Sequence, residues 1–308
     1  MNSIIELRGV SKSFGRKAVL NRVNLQIPDK KITGLIGVSG SGKTTLLKLI
    51  TGYYKPEAGS IYYDGKDISK NLKEVKRNIG FATQENCFYS KLTIKENLEY
   101  FGTLYGLNKS VITKNTEKIL PLLDLQEAKN VVAENLSDGM QRRFDLACAL
   151  INYPKILILD EPTEDLDPQL RRQVLKLIKE LNAMGTTIII TSHLLEEVEN
   201  LCDYIAVVND KSVVRFGTID QLRDIFGNED EIHLLTESQD YNYLIRLFNR
   251  RASKIYVNNG KLVLQSKNAD VLLRELLTII KRKGDKIVYA DVKRPSLEEI
   301  FENLTKKR

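Results

Sequence analysis

Residues 37–45 read GVSGSGKTT, with glycines at Gly37, Gly40 and Gly42 followed by Lys43, Thr44 and Thr45. Glycines at that spacing let the backbone curl until its N–H groups face one point, the arrangement that cradles a phosphate chain. Lys43 is placed to reach the β- and γ-phosphates and the Thr44 hydroxyl to bind Mg²⁺, while Ser39, Ser41 and Thr45 complete the phosphate-facing set. Further along, the apolar run ILILDEP ends in Asp160 and Glu161. Two adjacent acids alone would read as the start of a solvated loop. At the carboxyl end of a buried parallel strand, beside the first loop, Asp160 can hold Mg²⁺ through water and Glu161 can orient and deprotonate an attacking water. Together they describe hydrolysis of a nucleoside triphosphate.

A third stretch, ENLSDGMQRR at 134–143, holds no nucleophile, base or metal cluster. It reads as a helix start: Ser137 caps, Asp138 suits the first turn, and an apolar run follows from Leu146 to Ile151. Free backbone N–H groups at such a start attract an anion, and a carboxylate at 138 is an odd neighbour for one.

The elements that must hold these residues are legible from periodicity. Short alternating strands, IIELRGV and VNLQI, come first. Buried runs then alternate with helices: ITGLIG into TTLLKLITG, ILILDEP into a helix from Pro168, and TTIIITS into HLLEEVENLC. That order predicts a parallel α/β sheet. The helix after Asp167 is well marked, with Asp167 as cap, Pro168 at its first position and Gly185 as its stop. Residues 86–151 are mainly helical and read as a subdomain inserted between strands. Glycine, asparagine and acids cluster at FGNEDE, 226–231, which places a domain boundary there, between 1–225 and 230–308. Beyond it the pattern is β-α-β-β-α-β plus a helix, the ferredoxin-like order, with a type I′ turn at Asn259-Gly260 and a capping box of Ser296 and Glu299.

In this order, GVSGSGKTT, Gln84, LSDGMQRR, ILILDEP, TEDLDP and His193 resemble the ATP-binding subunit of an ABC transporter, in its exporter branch with a C-terminal accessory domain. The resemblance covers about residues 4–222. It implies a P-loop NTPase fold of the RecA-like type with an N-terminal antiparallel β subdomain, ATP and Mg²⁺ as ligands, and a homodimer, or a heterodimer with a related subunit. Two ATP molecules are then sandwiched head to tail between the copies. The stretch matching LSDGM faces the γ-phosphate held by the other copy, so Ser137, Gly139 and Met140, with Asp167, serve the partner's ATP.

The resemblance further implies that Phe14 stacks on adenine, that Gln84 senses Mg²⁺ and the attacking water, and that His193 contacts the γ-phosphate and helps hold that water. It also implies a separate membrane permease docking beside the Gln84 loop, where Cys87, Phe88 and Tyr89 offer apolar surface. Such a subunit sits at the cytoplasmic face of the membrane, and its cargo is contacted by the permease. Two positions depart from the commonest pattern: Asp138 replaces the first glycine of LSGGQ, with Met140 for its glutamine, and Asp165 replaces a glycine. At ~5 Å and an effective dielectric of ~20, a carboxylate facing a phosphate costs roughly 3 kcal/mol per negative charge. The Asp138 side chain is therefore expected to turn outward, leaving the backbone to serve.

Composition agrees with an ordinary soluble protein: 308 residues, 42% hydrophobic and 28% charged. The longest apolar runs are far below the ~18 residues that span a bilayer. The N-terminus lacks a basic segment followed by an apolar one, so no signal peptide is expected. Cys87, Cys148 and Cys202 form no CxxC pair and read as packing residues, and His233 is given no role. A net charge of +7 suits an anionic ligand or surface. It leaves open a soluble ATPase acting on ribosomes or nucleic acid, although no direct nucleic-acid contact is expected because a second ATP domain and a coiled-coil insertion are both missing. A slow-hydrolysing regulatory module is the other alternative, against which Glu161 and His193 both weigh.

Overall fold

The computed structural model of the chain describes residues 2–83, 85–164, 166–226, 229–294 and 296–306. Gln84 and Asp165, both singled out by the sequence, lie outside these described residues. Two compact units divide the chain, Met1–Thr218 and Ile219–Arg308.

The first unit opens with an antiparallel pair, β1 (Ser3–Phe14) and β2 (Lys17–Pro28), followed by β3 (Ile32–Ile36) and α1 (Lys43–Ile50). β4 (Ala58–Tyr63) and β5 (Lys66–Asp67) return to β1 and complete a four-stranded antiparallel sheet, β2-β1-β4-β5. Next come α2 (Leu72–Arg77), β6 (Ile79–Ala82), and the inserted helices α3 (Ile94–Leu104), α4 (Lys109–Leu122) and α5 (Asp138–Leu150). The unit then alternates β7 (Ile156–Asp160), α6 (Pro168–Ala183), β8 (Thr187–Thr191), α7 (Leu195–Leu201), β9 (Tyr204–Asn209) and β10 (Ser212–Gly217).

The second sheet runs β10-β9-β3-β8-β7-β6, parallel except at β10. Its inner strands read as unbroken apolar runs because both faces are covered. Alternation survives in where the side chains go: Ile156 and Ile158 join one core with α1 and the antiparallel sheet, while Leu157 and Leu159 join the other with the helical insertion. The strand order sets β3, β8 and β7 side by side and parallel, so the loops leaving their carboxyl ends emerge together. Those loops carry residues 37–42, His193 and Glu161.

The second unit comprises α8 (Ile219–Phe226), β11 (Asp230–Thr236), α9 (Asn242–Phe248), β12 (Lys254–Asn258), β13 (Lys261–Ser266), α10 (Ala269–Arg282), β14 (Ile287–Lys293) and α11 (Leu297–Lys306). Its antiparallel sheet has the order β12-β13-β11-β14, that of a ferredoxin-like fold. Asn259 and Gly260 both have positive φ, 47° and 76°, as a type I′ turn demands. Ser296 and Glu299 exchange the two hydrogen bonds of a capping box. Ile232, Leu234, Leu262 and Leu264 on the sheet pack with Leu244, Phe248, Leu272 and Leu276 from the helices. The boundary differs from the expected one by a helix: α8 groups with the second unit, where it lies against α11. The composition break at 226–231 thus falls inside that unit, where α8 ends and β11 begins.

Candidate active site

The first loop is shaped by its glycines. A Cβ on Gly37 would stand 2.3 Å from the Val208 carbonyl oxygen, and Gly40 and Gly42 have φ of 76° and 105°, where other residues are strained. Gly42 leads directly into α1, so the first N–H groups of that helix point back along the loop. Lys43 is only 6% exposed, and its ammonium donates to the carbonyls of Gly37 (2.8 Å) and Val38 (3.4 Å). Burial pushes this ammonium below the ordinary lysine range, while Glu161 and Asp160 pull it back up. Ser39 and Gly40 are exposed, Thr44 is exposed at the helix start, Thr45 is half-buried, and the Ser41 hydroxyl is buried with no hydrogen-bond partner.

Asp160 ends β7 at 4% exposure and accepts a 2.6 Å hydrogen bond from the Thr191 hydroxyl of β8. That same hydroxyl accepts from the Glu161 N–H at 2.9 Å, fixing the turn in which Glu161 takes a φ of 54°. A side chain held in the left-handed region is costly and points to function. Glu161 Oε1 lies 2.6 Å from His193 Nε2, and its Oε2 is buried with no hydrogen-bond partner. Burial first, then Glu164 and Asp160, push the Glu161 carboxyl above its usual range, opposed by His193. The oxygen ligands on offer, the Thr44 hydroxyl and the Asp160 carboxylate, are the hard donors that Mg²⁺ takes. With the backbone-lined loop and buried Lys43, they fit a Mg²⁺-bound triphosphate.

Sequence reading missed the side chains that hold these parts in register. Arg142, 8% exposed on α5, donates from Nε to the Pro162 carbonyl (2.9 Å), from Nη1 to that of Thr83 (2.9 Å), and from Nη2 to those of Glu161 (2.5 Å) and Asp160 (3.3 Å). One guanidinium therefore ties α5 to the acid-bearing turn and to the residue before Gln84. Glu197 of α7, similarly buried, accepts from the hydroxyls of Thr163 and Ser192 at 2.7 and 3.2 Å and pairs with Arg171 at 3.2 Å. It links the loop after Glu161 to the loop holding His193. Glu164, His193 and Glu161 bring their polar atoms within 4.8 Å of one another.

The expected second half-site lies apart in character. Ser137 caps α5 through a long 3.4 Å bond from the Met140 N–H, and both Ser137 and Asp138 are exposed. Gly139 is buried: a Cβ there would meet the Leu170 methyl of α6 at 2.4 Å. Met140 is half-buried against the helical core. Asp167 caps α6, accepting from the N–H groups of Gln169 (2.8 Å) and Leu170 (3.1 Å). Phe14 is 44% exposed and meets Tyr54 edge-on at 5.2 Å. Of the residues expected to meet a permease, Phe88 packs on Phe144 and Cys87 donates to Asp145, whereas Tyr89 is 49% exposed.

The sequence pattern of ABC transporters matches residues 20–164. The linearmycin resistance ATP-binding protein LnrL of Bacillus subtilis is 30% identical over 98% of this chain and 98% of its own. The chain belongs to the ABC transporter family. A second ABC relative, the Nod factor export ATP-binding protein I of Cupriavidus pinatubonensis, is 37% identical over 73% of this chain and 69% of its own. Among solved structures, the dimeric ATP-binding cassette MJ0796 in a post-hydrolysis state bound to ADP and Pi superposes with a TM-score of 0.63. It is 28% identical and covers 70% of this chain and 98% of the cassette. The protein is an ABC ATPase with the P-loop NTPase fold.

Proposed function

We propose that this ATPase energises export through a separate membrane permease, with two copies of the chain, or one copy and a related subunit, closing head to tail on two ATP molecules. No described helix is long and apolar enough to cross a membrane, so passage across the bilayer falls to another protein. On this reading the subunit works at the cytoplasmic face, bound to that permease. The names of the relatives, a linearmycin resistance protein and a Nod factor export protein, support the outward direction.

The observation that carries the reading is the contact between Glu161 and His193 beside Lys43. The loop N–H groups and Lys43 bind the phosphates, Phe14 stacks on the adenine, and Gln84 is the third residue contacting water and metal. Thr44 and, through water, Asp160 would hold Mg²⁺, which would supply charge neutralisation on the phosphates. Glu161 Oε2, buried and without a partner, is the acceptor for a proton from the attacking water. His193 holds the other oxygen and faces the γ-phosphate. Ser137, exposed at the start of α5, and the backbone at Gly139 complete the site of the other copy, with Asp167 at the seam. ATP thus binds across two surfaces, and its cleavage removes what bridges them.

Glu161→Gln tests this directly. With ATP it is expected to run as a stable dimer by light scattering with hydrolysis lost; a monomer under those conditions would contradict the shared site.

A further inference from the structure

Glu161 and Glu164, in the turn after β7, and His193, in the loop after β8, each offer one ligand atom, and the three atoms lie within 4.8 Å of one another. Among the described residues this is the one such group of three. Within it Glu161 Oε1 lies 2.6 Å from His193 Nε2. Glu161 Oε2, in a residue only 8% exposed, has no hydrogen-bond partner. A buried carboxylate oxygen with no donor, set beside a second carboxylate, is costly, and a divalent cation between them removes that cost.

We propose that Glu161, Glu164 and His193 form a second cation site, apart from the Thr44 and Asp160 pair, that takes Zn²⁺ in preference to Mg²⁺ and silences the ATPase by occupying Glu161. Two carboxylate oxygens and one imidazole nitrogen are a set that Zn²⁺ binds at about 2.0–2.2 Å, with a fourth position left to water. Atoms so bound stand roughly 3.4 Å apart, so closing the cluster takes about 1.4 Å of side-chain movement at most, within reach of the outer torsions. The backbone beneath need not move, because the Glu161 N–H is held by the Thr191 hydroxyl and its carbonyl by Arg142. The His193 side chain is half exposed, which leaves an entry path. Mg²⁺ takes oxygen ligands in an octahedron and keeps its waters, so the imidazole selects against it. The other histidine, His233, meets Glu231 at 2.8 Å, and among the described residues no third ligand joins them. Binding rests on the cluster alone. Silencing rests also on the proposed role of Glu161, since a carboxylate bound to metal no longer accepts a proton from water.

The test uses the full, untagged chain without nucleotide. Titration with Co²⁺, a coloured stand-in for Zn²⁺, is expected to give a visible ligand-field absorption that Zn²⁺ discharges and excess Mg²⁺ does not. By calorimetry, Glu164→Gln and His193→Ala should each weaken Zn²⁺ binding tenfold or more, while His233→Gln leaves it unchanged. At low ATP, Zn²⁺ should stop turnover of the native chain, and Glu164→Gln should need at least tenfold more for half-inhibition, each rate referred to that variant's own rate without Zn²⁺. Zn²⁺ affinity indifferent to both ligand variants overturns the inference. So does a cobalt spectrum dominated by sulfur-to-metal charge transfer, which would assign the ion to cysteine. The two readings fail separately. No Zn²⁺ binding, with Glu161→Gln still forming its dimer on ATP, sinks only the cation site, whereas Zn²⁺ bound at the cluster with native turnover untouched overturns the silencing and counts against Glu161 as the base.

Discussion

The acid-bearing turn and the start of α5 sit in one unit yet are built on opposite plans. Lys43, Asp160 and Glu161 are each at least nine-tenths buried, and their neighbours are tied down by Thr191, Arg142 and Glu197. Ser137 and Asp138 stand exposed, held by one long capping bond. Buried charge must be matched where it lies. On the proposed function the first region carries its chemistry within the chain, and the second serves a nucleotide bound by another copy. The difference teaches that damage to the first should abolish chemistry in any assembly, whereas damage to the second should show only when two chains meet.

The largest effect is expected from Glu161→Gln, which removes the proposed base and should lower kcat by about 10²–10⁴-fold with ATP still bound, read by steady-state turnover and nucleotide binding. Arg142→Gln comes next. It strips four carbonyls of a buried cation and should cost about 3–5 kcal/mol of stability, seen as a lower melting temperature together with lost turnover. If Arg142→Lys restores stability without turnover, the fork geometry matters beyond its charge.

A pH effect of intermediate size follows from Asp145, which accepts from the N–H and thiol of Cys87 and whose carboxyl burial pushes up to about 6. Between the unfolded value and about 6 the folded chain holds one proton more than the unfolded chain. Stability from this group is thus full at low pH and lost as pH rises through about 6, by on the order of 3 kcal/mol. Asp145→Asn should flatten that slope in urea melts taken between pH 4 and 7.

Ser137→Ala sharpens the contrast: about tenfold lower turnover in the dimer, with nucleotide affinity of the dilute monomer unchanged, since its own cap is worth at most ~1 kcal/mol. Asp138→Gly should be the mildest. If the exposed Asp138 carboxylate turns outward as expected, it can go at a cost of a few tenths of a kcal/mol from the helix dipole, and turnover should stay within about twofold. A large rise would mean that the native carboxylate handicaps the site.

Much of this was legible in the chain because local rules fix it. The glycine spacing of 37–42, the Asp167 and Pro168 start of α6 and the Asn259-Gly260 turn each need only neighbouring residues to be read. The grip of Arg142 on four carbonyls, the Thr191 bridge and the Glu197 junction were not legible, since each joins a side chain to segments many residues away through contacts that leave no periodic trace. Phe88, which packs on Phe144, could be read equally as core or as apolar surface for the related reason that an apolar residue after a loop looks the same in either place. The boundary before α8 was hidden because a stretch rich in glycine and acids is conspicuous in sequence and a helix that groups with the following unit is not.

One small feature has mechanical weight. Gly139 has no side chain and Leu170 presses into that space, so the head of α5 is keyed against the head of α6, which Asp167 caps. In the proposed dimer the two edges that a second chain would touch are therefore packed into one corner. Pressure on either edge is passed to the other as rotation of a single piece, and a larger residue at 139 would wedge that corner open.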